Sequence, residues 1–221
     1  HLIRCSTLNE EIRKNYTTKF IIKGEPPLPE GAFKNEVLSI SNWEQVIPSG
    51  IQAIIREYDP DIIFCDQRET SIEEILFLNK ITKTITLDDS YDTCLYSDVT
   101  LNSLPSFVPD TLANFKGREY LIFPQYIKNY KKNLLKIKEE WDILVVFGGE
   151  DPYFLVEYVH SVLDKLSSTY SILIITNKKL NSEFSLPTKI VPFMNQENLF
   201  EQIQTSRLLI TSFGITPYES K

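Results

Sequence analysis

The chain has 221 residues, 42% hydrophobic and 24% charged, enough apolar material for one large folded domain or two small ones and too much for a disordered chain. A formal net charge of −7 at pH 7 argues against a nucleic-acid surface, yet a single nucleotide can still be held by backbone N–H groups at a helix terminus. The three cysteines, Cys5, Cys65 and Cys94, and the two histidines, His1 and His160, have no metal or redox spacing, so no disulfide framework, zinc site or cofactor is expected and the cysteines read as small buried hydrophobes.

Residues 1–14 open in a helical pattern with no strand before them. Thr18 to Lys23 reads as a strand. Residues 43–57 carry Trp43, Val46, Ile47, Ile51, Ile54 and Ile55 at helical spacing, interrupted at Pro48-Ser49-Gly50. Asp61 to Asp66 reads as a buried strand ending in an acid. Residues 71–81 form an amphipathic helix, capped by Ser71 or Thr70, with Glu73 and Glu74 in the first turn where the helix dipole favours them. Thr84 to Asp89 is the next strand, followed by short strands near 98–101 and 119–123. The polar, lysine-rich stretch 124–140 reads as a solvated connector between two domains.

The alternation then restarts. Trp141 to Phe147 is a strand, and Gly148-Gly149 a tight turn. Residues 153–167 form a helix with Leu155, Val159, Val162 and Leu166 on one face. Ser171 to Thr176 and Lys189 to Phe193 are strands, 196–206 a helix and Leu208 to Thr211 a strand. Gly214 turns into a helix that begins near Pro217. Strands alternating with helices throughout predict an α/β protein built on parallel sheets. Both ends fall within the pattern, so the chain is expected to be incomplete at each end.

Two segments carry a phosphate-binding signature. Phe147 to Pro152 runs from a strand through two glycines into a helix, which lets a phosphate approach the backbone at a helix N-terminus. Thr211 to Glu219 does the same around Gly214 and Thr216, with Glu219 one turn into the helix, within reach of ribose hydroxyls. The plain alternatives are an N-cap at Asp151 and a capping box from Thr216 to Glu219. Two such turns at strand ends point to a ligand crevice. His1 with Arg4 at the start of a helix suits a general base near neutral pH, or else a mobile end. Asp88-Asp89 and Asp66-Gln67 follow strands. With no triphosphate-binding lysine motif beside them, they fit structural or substrate contacts better than a metal site.

Together these motifs resemble, in order and over almost the whole chain, the UDP-sugar hydrolases of the pseudaminic-acid pathway and the related spore-coat polysaccharide biosynthesis proteins. His1 to Arg13 resembles their "GHxxRCxxLAxxL" opening and Leu87-Asp88-Asp89 their "iDD" strand end. Ser97 to Asn102 is similar to "cDlvlnqn", Glu119 to Tyr126 to "xYxlLRpeF", Phe147 to Pro152 to "FGGSDP" and Ser212 to Glu219 to "gGxTxYE". Glu150 stands in place of the serine of "GGSDP", Phe213 in place of the first glycine of "gGxT", and Phe123 and Gln125-Tyr126 in place of the Arg and Glu-Phe of "LRpeF".

The resemblance implies a glycosyltransferase-B type fold of two Rossmann-like domains facing across a cleft. These would be an N-terminal substrate and catalytic domain over 1–130 and a C-terminal nucleotide-binding domain over 131–221. It implies that Gly148, Gly149, Gly214 and Thr216 lie by the diphosphate of UDP and Glu219 by its ribose. Arg4, Asp88 and Asp89 would contact substrate, and His1 would activate water to release UDP and a free amino-sugar without a metal. A transferase of the same fold and a non-catalytic nucleotide-sugar-binding module remain the alternatives. No apolar run reaches the roughly 18 residues of a membrane span and no signal peptide is recognisable, so the expected compartment is the cytoplasm. The partner is expected to be a UDP-sugar, without nucleic acid, and the oligomeric state is left open.

Overall fold

The computed structural model describes residues 2–24, 33, 36–67, 70–89, 91–103, 114–123, 127, 138–147, 154–165, 170–180, 187–192 and 196–212. The chain divides into two compact units, His1–Pro124 and Gln125–Lys221. Both are α/β units built on parallel strands.

The first unit begins with helix α1 (Leu2–Ile12), then strands β1 (Phe20–Lys23) and β2 (Val37–Ser41), which pair in parallel. Helix α2 (Ser49–Tyr58), β3 (Ile62–Cys65), α3 (Ile72–Leu78), β4 (Lys83–Leu87), the single turn α4 (Tyr91–Cys94), β5 (Val99–Asn102) and β6 (Asn114–Lys116) follow. Strands β3-β4-β5-β6 form one parallel sheet in that order. The core gathers Ile47, Ile51 and Ile55 around α2, Ile75 and Leu78 of α3, and Cys65 of β3. Ile21 of β1 and Ile63 of β3 pack against the same cluster, so the two-stranded and four-stranded sheets share one core.

Local chemistry explains the boundaries. Pro48 precedes α2, and residues 43–48 are not helical; the expected interruption is the true start. Proline fits the first positions of a helix, where its missing N–H is no loss. Asp59 ends α2 in the left-handed region at φ 51°, its N–H donating to Ile55 O. Ser71 caps α3 through a full capping box: its hydroxyl accepts from Glu74 N while the Glu74 carboxylate accepts from Ser71 N. The strand expected at 119–123 is instead a 3-10 turn over Arg118–Tyr120, with the edge strand β6 just before it. Gly117 separates them at φ 135°, where the Cβ of any other residue would meet the Glu119 carboxylate.

The second unit holds β7 (Trp141–Val146), α5 (Leu155–Leu163), β8 (Ile172–Ile175), β9 (Thr188–Val191), α6 (Gln196–Gln204) and β10 (Ser206–Thr211). Its sheet is parallel in the order β10-β7-β8-β9. Both faces of the central strands are covered. Ile143, Val145, Ile172 and Ile174 pack on Val156 and Leu163 of α5, and Leu144, Val146, Leu173 and Ile175 on Leu199 and Ile203 of α6. Two-sided burial is why Ile143–Val146 of β7 and all of β8 are continuous apolar runs rather than alternating ones. The buried face of α5 carries Val156, His160 and Leu163, whereas Val162 is exposed. The expected face of Leu155, Val159, Val162 and Leu166 is therefore turned by about one residue on the helix; Leu166 itself lies outside the described residues.

Candidate functional site

In parallel α/β sheets, ligands bind beyond the C-terminal ends of the strands. In the first unit that edge is a dense polar network. Arg4 reaches it from the first turns of α1. Its Nε donates to Asp66 Oδ2 at 2.8 Å, its Nη2 to Asp66 Oδ1, and its Nη1 to Asp88 Oδ2. Nη2 also lies 3.5 Å from the carbonyl of Leu87. Asp66 follows β3 and Asp88 follows β4, so one guanidinium bridges two neighbouring strand ends. The fork geometry of arginine suits this bidentate grip on one carboxylate with a third bond to another. Burial opposes the charge on Arg4, but the hydrogen bonds and charges of Asp66 and Asp88 outweigh it and push its pKa up.

Asp88 is fixed in turn. It sits in the left-handed region at φ 50°, which aspartate tolerates better than most residues. Its carboxylate accepts the N–H of Ser103 at 2.6 Å and the Ser103 hydroxyl at 2.7 Å, tying in the end of β5. Asp89 points elsewhere: its carboxylate accepts the backbone N–H of Thr70 at 3.1 Å and the Thr70 hydroxyl. Cys5, beside Arg4, donates to Asp66 Oδ2 at 3.4 Å, and burial followed by the charge of Asp66 pushes its thiol up to about 12.

A second network lies on the other side of Asp66. Gln67, the next residue, reaches Glu74 Oε2 at 3.4 Å. Glu74 is almost wholly buried, with its side chain 1% exposed. It also receives Lys23 Nζ at 3.1 Å, from the end of β1, and the indole N–H of Trp43. Lys23 Nζ donates as well to Glu44 O at 2.9 Å and sits 5.3 Å from the centre of the Trp43 ring. A buried carboxylate is tolerable only when its lone pairs are met this fully.

Of the residues singled out in the sequence, the structure brings Arg4 and Asp88 into contact and sets Asp89 alongside on a different partner. Asp66, Ser103 and Glu74 complete the networks. Asp66 and Glu74 carried a signal, as an acid after a strand and an acid in a first helical turn; Ser103 carried none. Among the described residues no three His, Cys, Asp or Glu side chains are grouped to hold a metal ion. His1, Gly148, Gly149, Gly214, Thr216 and Glu219, with Glu150 and Phe213, lie outside the described residues.

The second unit shows where the two glycine segments start. β7 and β10 are hydrogen-bonded neighbours with Val146 opposite Thr211. The segments beginning at 148 and 213 therefore leave the sheet from adjacent strand ends, about 4.8 Å apart across the ladder. At the start of α5, Phe154 takes the N-cap position in the left-handed region at φ 54°, uncommon for a bulky residue. Lys178, just past β8, places its ammonium 3.6 Å from the centre of the Phe154 ring.

Comparison of the folded chain with solved structures places this architecture. A UDP-N-acetylglucosamine 2-epimerase from Rickettsia bellii superposes with a TM-score of 0.63 at 10% identity, covering 99% of this chain and 72% of that one. MurG from Acinetobacter baumannii superposes with a TM-score of 0.59, also at 10% identity and with the same coverage. The fold is of the glycosyltransferase-B type. In sequence, the chain is 26% identical over 254 aligned positions to MJ1062, an uncharacterized protein of Methanocaldococcus jannaschii. The chain spans about half the length of that curated relative, 50%, while being covered completely itself. No protein-family model matches it. Among the described residues no helix is long and apolar enough to cross a membrane.

Proposed function

We propose that the protein handles a nucleotide-sugar, and that its reaction is hydrolysis of a UDP-amino-sugar to UDP and the free sugar. The observation that carries this reading is the pairing of β7 with β10, Val146 opposite Thr211, which starts both glycine segments from one edge of one sheet. In this reading Gly148, Gly149, Gly214 and Thr216 offer backbone and hydroxyl groups to the diphosphate, and Glu219 accepts from the ribose. In the same reading the first unit supplies the sugar side, with Asp88 and Asp89 at its strand ends, Arg4 reaching them from α1, and His1 as the base that takes a proton from the attacking water. Water adds as the sugar–phosphate linkage breaks, and UDP leaves with the bonding pair. The fold shared with a UDP-sugar epimerase and the order of the sequence motifs support the substrate class. A role in surface-polysaccharide or nonulosonic-acid biosynthesis, in the cytoplasm, is part of the same proposal.

The test is UDP release from UDP-N-acetylglucosamine and related UDP-amino-sugars by the full-length protein, with and without a sugar acceptor. Release without acceptor, reduced on the order of 10²–10⁴-fold by His1→Ala, is the expected result. Release that requires an acceptor converts the reading to a transferase of the same fold. UDP binding without turnover leaves a binding module, and absence of UDP binding in calorimetry removes the nucleotide site itself.

A further inference from the structure

The four-stranded sheet of the first unit buries its more polar face and leaves its apolar face open. The register sets Ile63 and Cys65 of β3 level with Thr84 and Thr86 of β4, and Thr86 level with Thr100 of β5, so these side chains share one face. Thr84, Thr86 and Thr100 are each 0% exposed. Their hydroxyls donate to the helices above them. Thr84 reaches Asn79 Oδ1 at the end of α3, Thr86 the Ser97 hydroxyl at 3.1 Å, and Thr100 the carbonyl of Cys94 in α4 at 3.5 Å.

The same register puts Ile62 and Phe64 of β3, Ile85 of β4, Val99 and Leu101 of β5 and Phe115 of β6 on the opposite face. Ile62 is 51% exposed, Phe64 40% and Phe115 45%, and the other three are half-buried. Leu87, at the end of β4 where Arg4 reaches its carbonyl, is the one apolar side chain of this face that is buried. None of the six belongs to the apolar core of the first unit. Single exposed apolar residues are ordinary, but six on four paired strands make one patch. Parallel sheets are covered on both faces, as β7 and β8 are by α5 and α6.

The size of the patch selects its cover. The open apolar area is on the order of 400 Å², half of the roughly 800 Å² that each partner buries in a stable complex. Four strands span about 14 Å across the ladder, and a helix with its side chains is about 10–12 Å wide, so one helix fits. Chain to supply one exists in the proteins that resemble this one. The match leaves half of MJ1062 outside it (100% less 50%) and 28% of each of the two solved structures (100% less 72%).

We propose that the open face of the β3-β4-β5-β6 sheet is the seat of an amphipathic helix from the same polypeptide, outside residues 1–221. Its apolar residues, at positions i, i+3, i+4 and i+7, pack on Phe64, Ile85 and Leu101, and its polar side faces water. Nothing in this arrangement depends on which reaction the protein performs.

The experiment is photo-crosslinking in the full-length protein, with p-benzoylphenylalanine in place of Phe64. The expected product has the mass of one chain, and peptide mapping finds the adduct on a segment outside 1–221 with helical apolar spacing. An adduct joining two copies means that the face is a dimer interface and overturns the proposal. An adduct on residues within 1–221 of the same copy, or recovery of unlinked protein, overturns it too. The same probe in place of Phe115 carries the test if the first variant does not fold. Amide hydrogen exchange supplies a second readout. A charge buried against the helix loosens it, so Phe64→Asp is expected to speed exchange in the mapped segment by about tenfold or more while β7 and β8 are unchanged. Unchanged exchange in that segment means that it does not rest on this face, and the proposal falls.

Discussion

The carboxylate of Glu74 receives the indole N–H of Trp43 from 31 positions earlier in the chain. The same carboxylate meets Lys23 at the end of β1 and closes the capping box on Ser71. One side chain thus ties the two-stranded sheet, the loop after β2 and the start of α3. Removing it leaves Lys23 without its buried partner and Trp43 without its acceptor. Glu74→Ala is expected to destabilise the first unit by about 3–5 kcal/mol, the cost of breaking a buried ion pair on one side. Trp43→Phe keeps the ring and loses only the hydrogen bond, for about 0.5–3 kcal/mol. Urea unfolding followed by circular dichroism measures both. An effect of Glu74→Ala no larger than that of Trp43→Phe would show that the ion pair adds nothing.

Two carboxylates make the fold sensitive to acid, one in each unit. The pKa of Asp98 is lowered from its ordinary 3.8, first by the hydrogen bond from the Lys83 ammonium and then by that from the Thr84 N–H. The pKa of Asp142 is lowered from the same value by the N–H and then the hydroxyl of Ser171, with Arg207 adding to it. A folded-state pKa below the unfolded one contributes stability that is present above about pH 4 and fades as pH falls through the folded value. Asp98→Asn and Asp142→Asn should therefore lower the urea midpoint at pH 6 and converge on the parent protein near pH 2.5. Curves that stay separated at low pH would point to lost packing rather than lost charge.

The thiols give the alkaline counterpart. Burial, then the charge of Asp66, pushes Cys5 up to about 12, and burial, then the charge of Asp89, does the same for Cys65. A raised folded pKa means that their contribution is full below the ordinary thiol value of 9.0 and is lost as pH rises toward 12. The thiolate is the nucleophile, so iodoacetamide at pH 8 should label neither cysteine in the folded protein at the rate of a free thiol. Both should react at the free-thiol rate in guanidinium. Rapid labelling of Cys5 in the native state would contradict its hydrogen bond to Asp66.

The parts of the fold legible in the sequence are those with a local cause. The cap of α3 could be read because Ser71 and Glu74 stand at capping-box spacing. β7 and β8 could be read because burial on both faces leaves unbroken apolar runs at Ile143–Val146 and Ile172–Ile175. The face of α5 is ambiguous in the sequence because Val or Leu at 155, 156, 159, 162 and 163 spans one broad arc of about 120°, and the side chain that shifts the buried face toward one side of it, His160, is polar by type and buried by packing. The apolar run after Tyr120 mimics a strand, but the edge of the sheet had already been taken by Asn114–Lys116. In the candidate site, Arg4 and Asp88 could be singled out as charged residues at element ends. Their bond could not, because 84 positions separate them and only the parallel order of β3 and β4 brings their partners together.

Asp66 and Gln67 are neighbours in the chain yet belong to different networks, Asp66 to Arg4 on α1 and Gln67 to Glu74 on α3. Three residues further on, Thr70 is bound to Asp89 and Ser71 caps the next helix. Asp66, Gln67, Thr70 and Ser71 are therefore each indexed by a partner of their own, like teeth of a ratchet. A conservative replacement here removes one tooth. Insertion or deletion of a single residue between Cys65 and Thr70 would offset them all together, so among related chains this loop should vary in sequence more freely than in length.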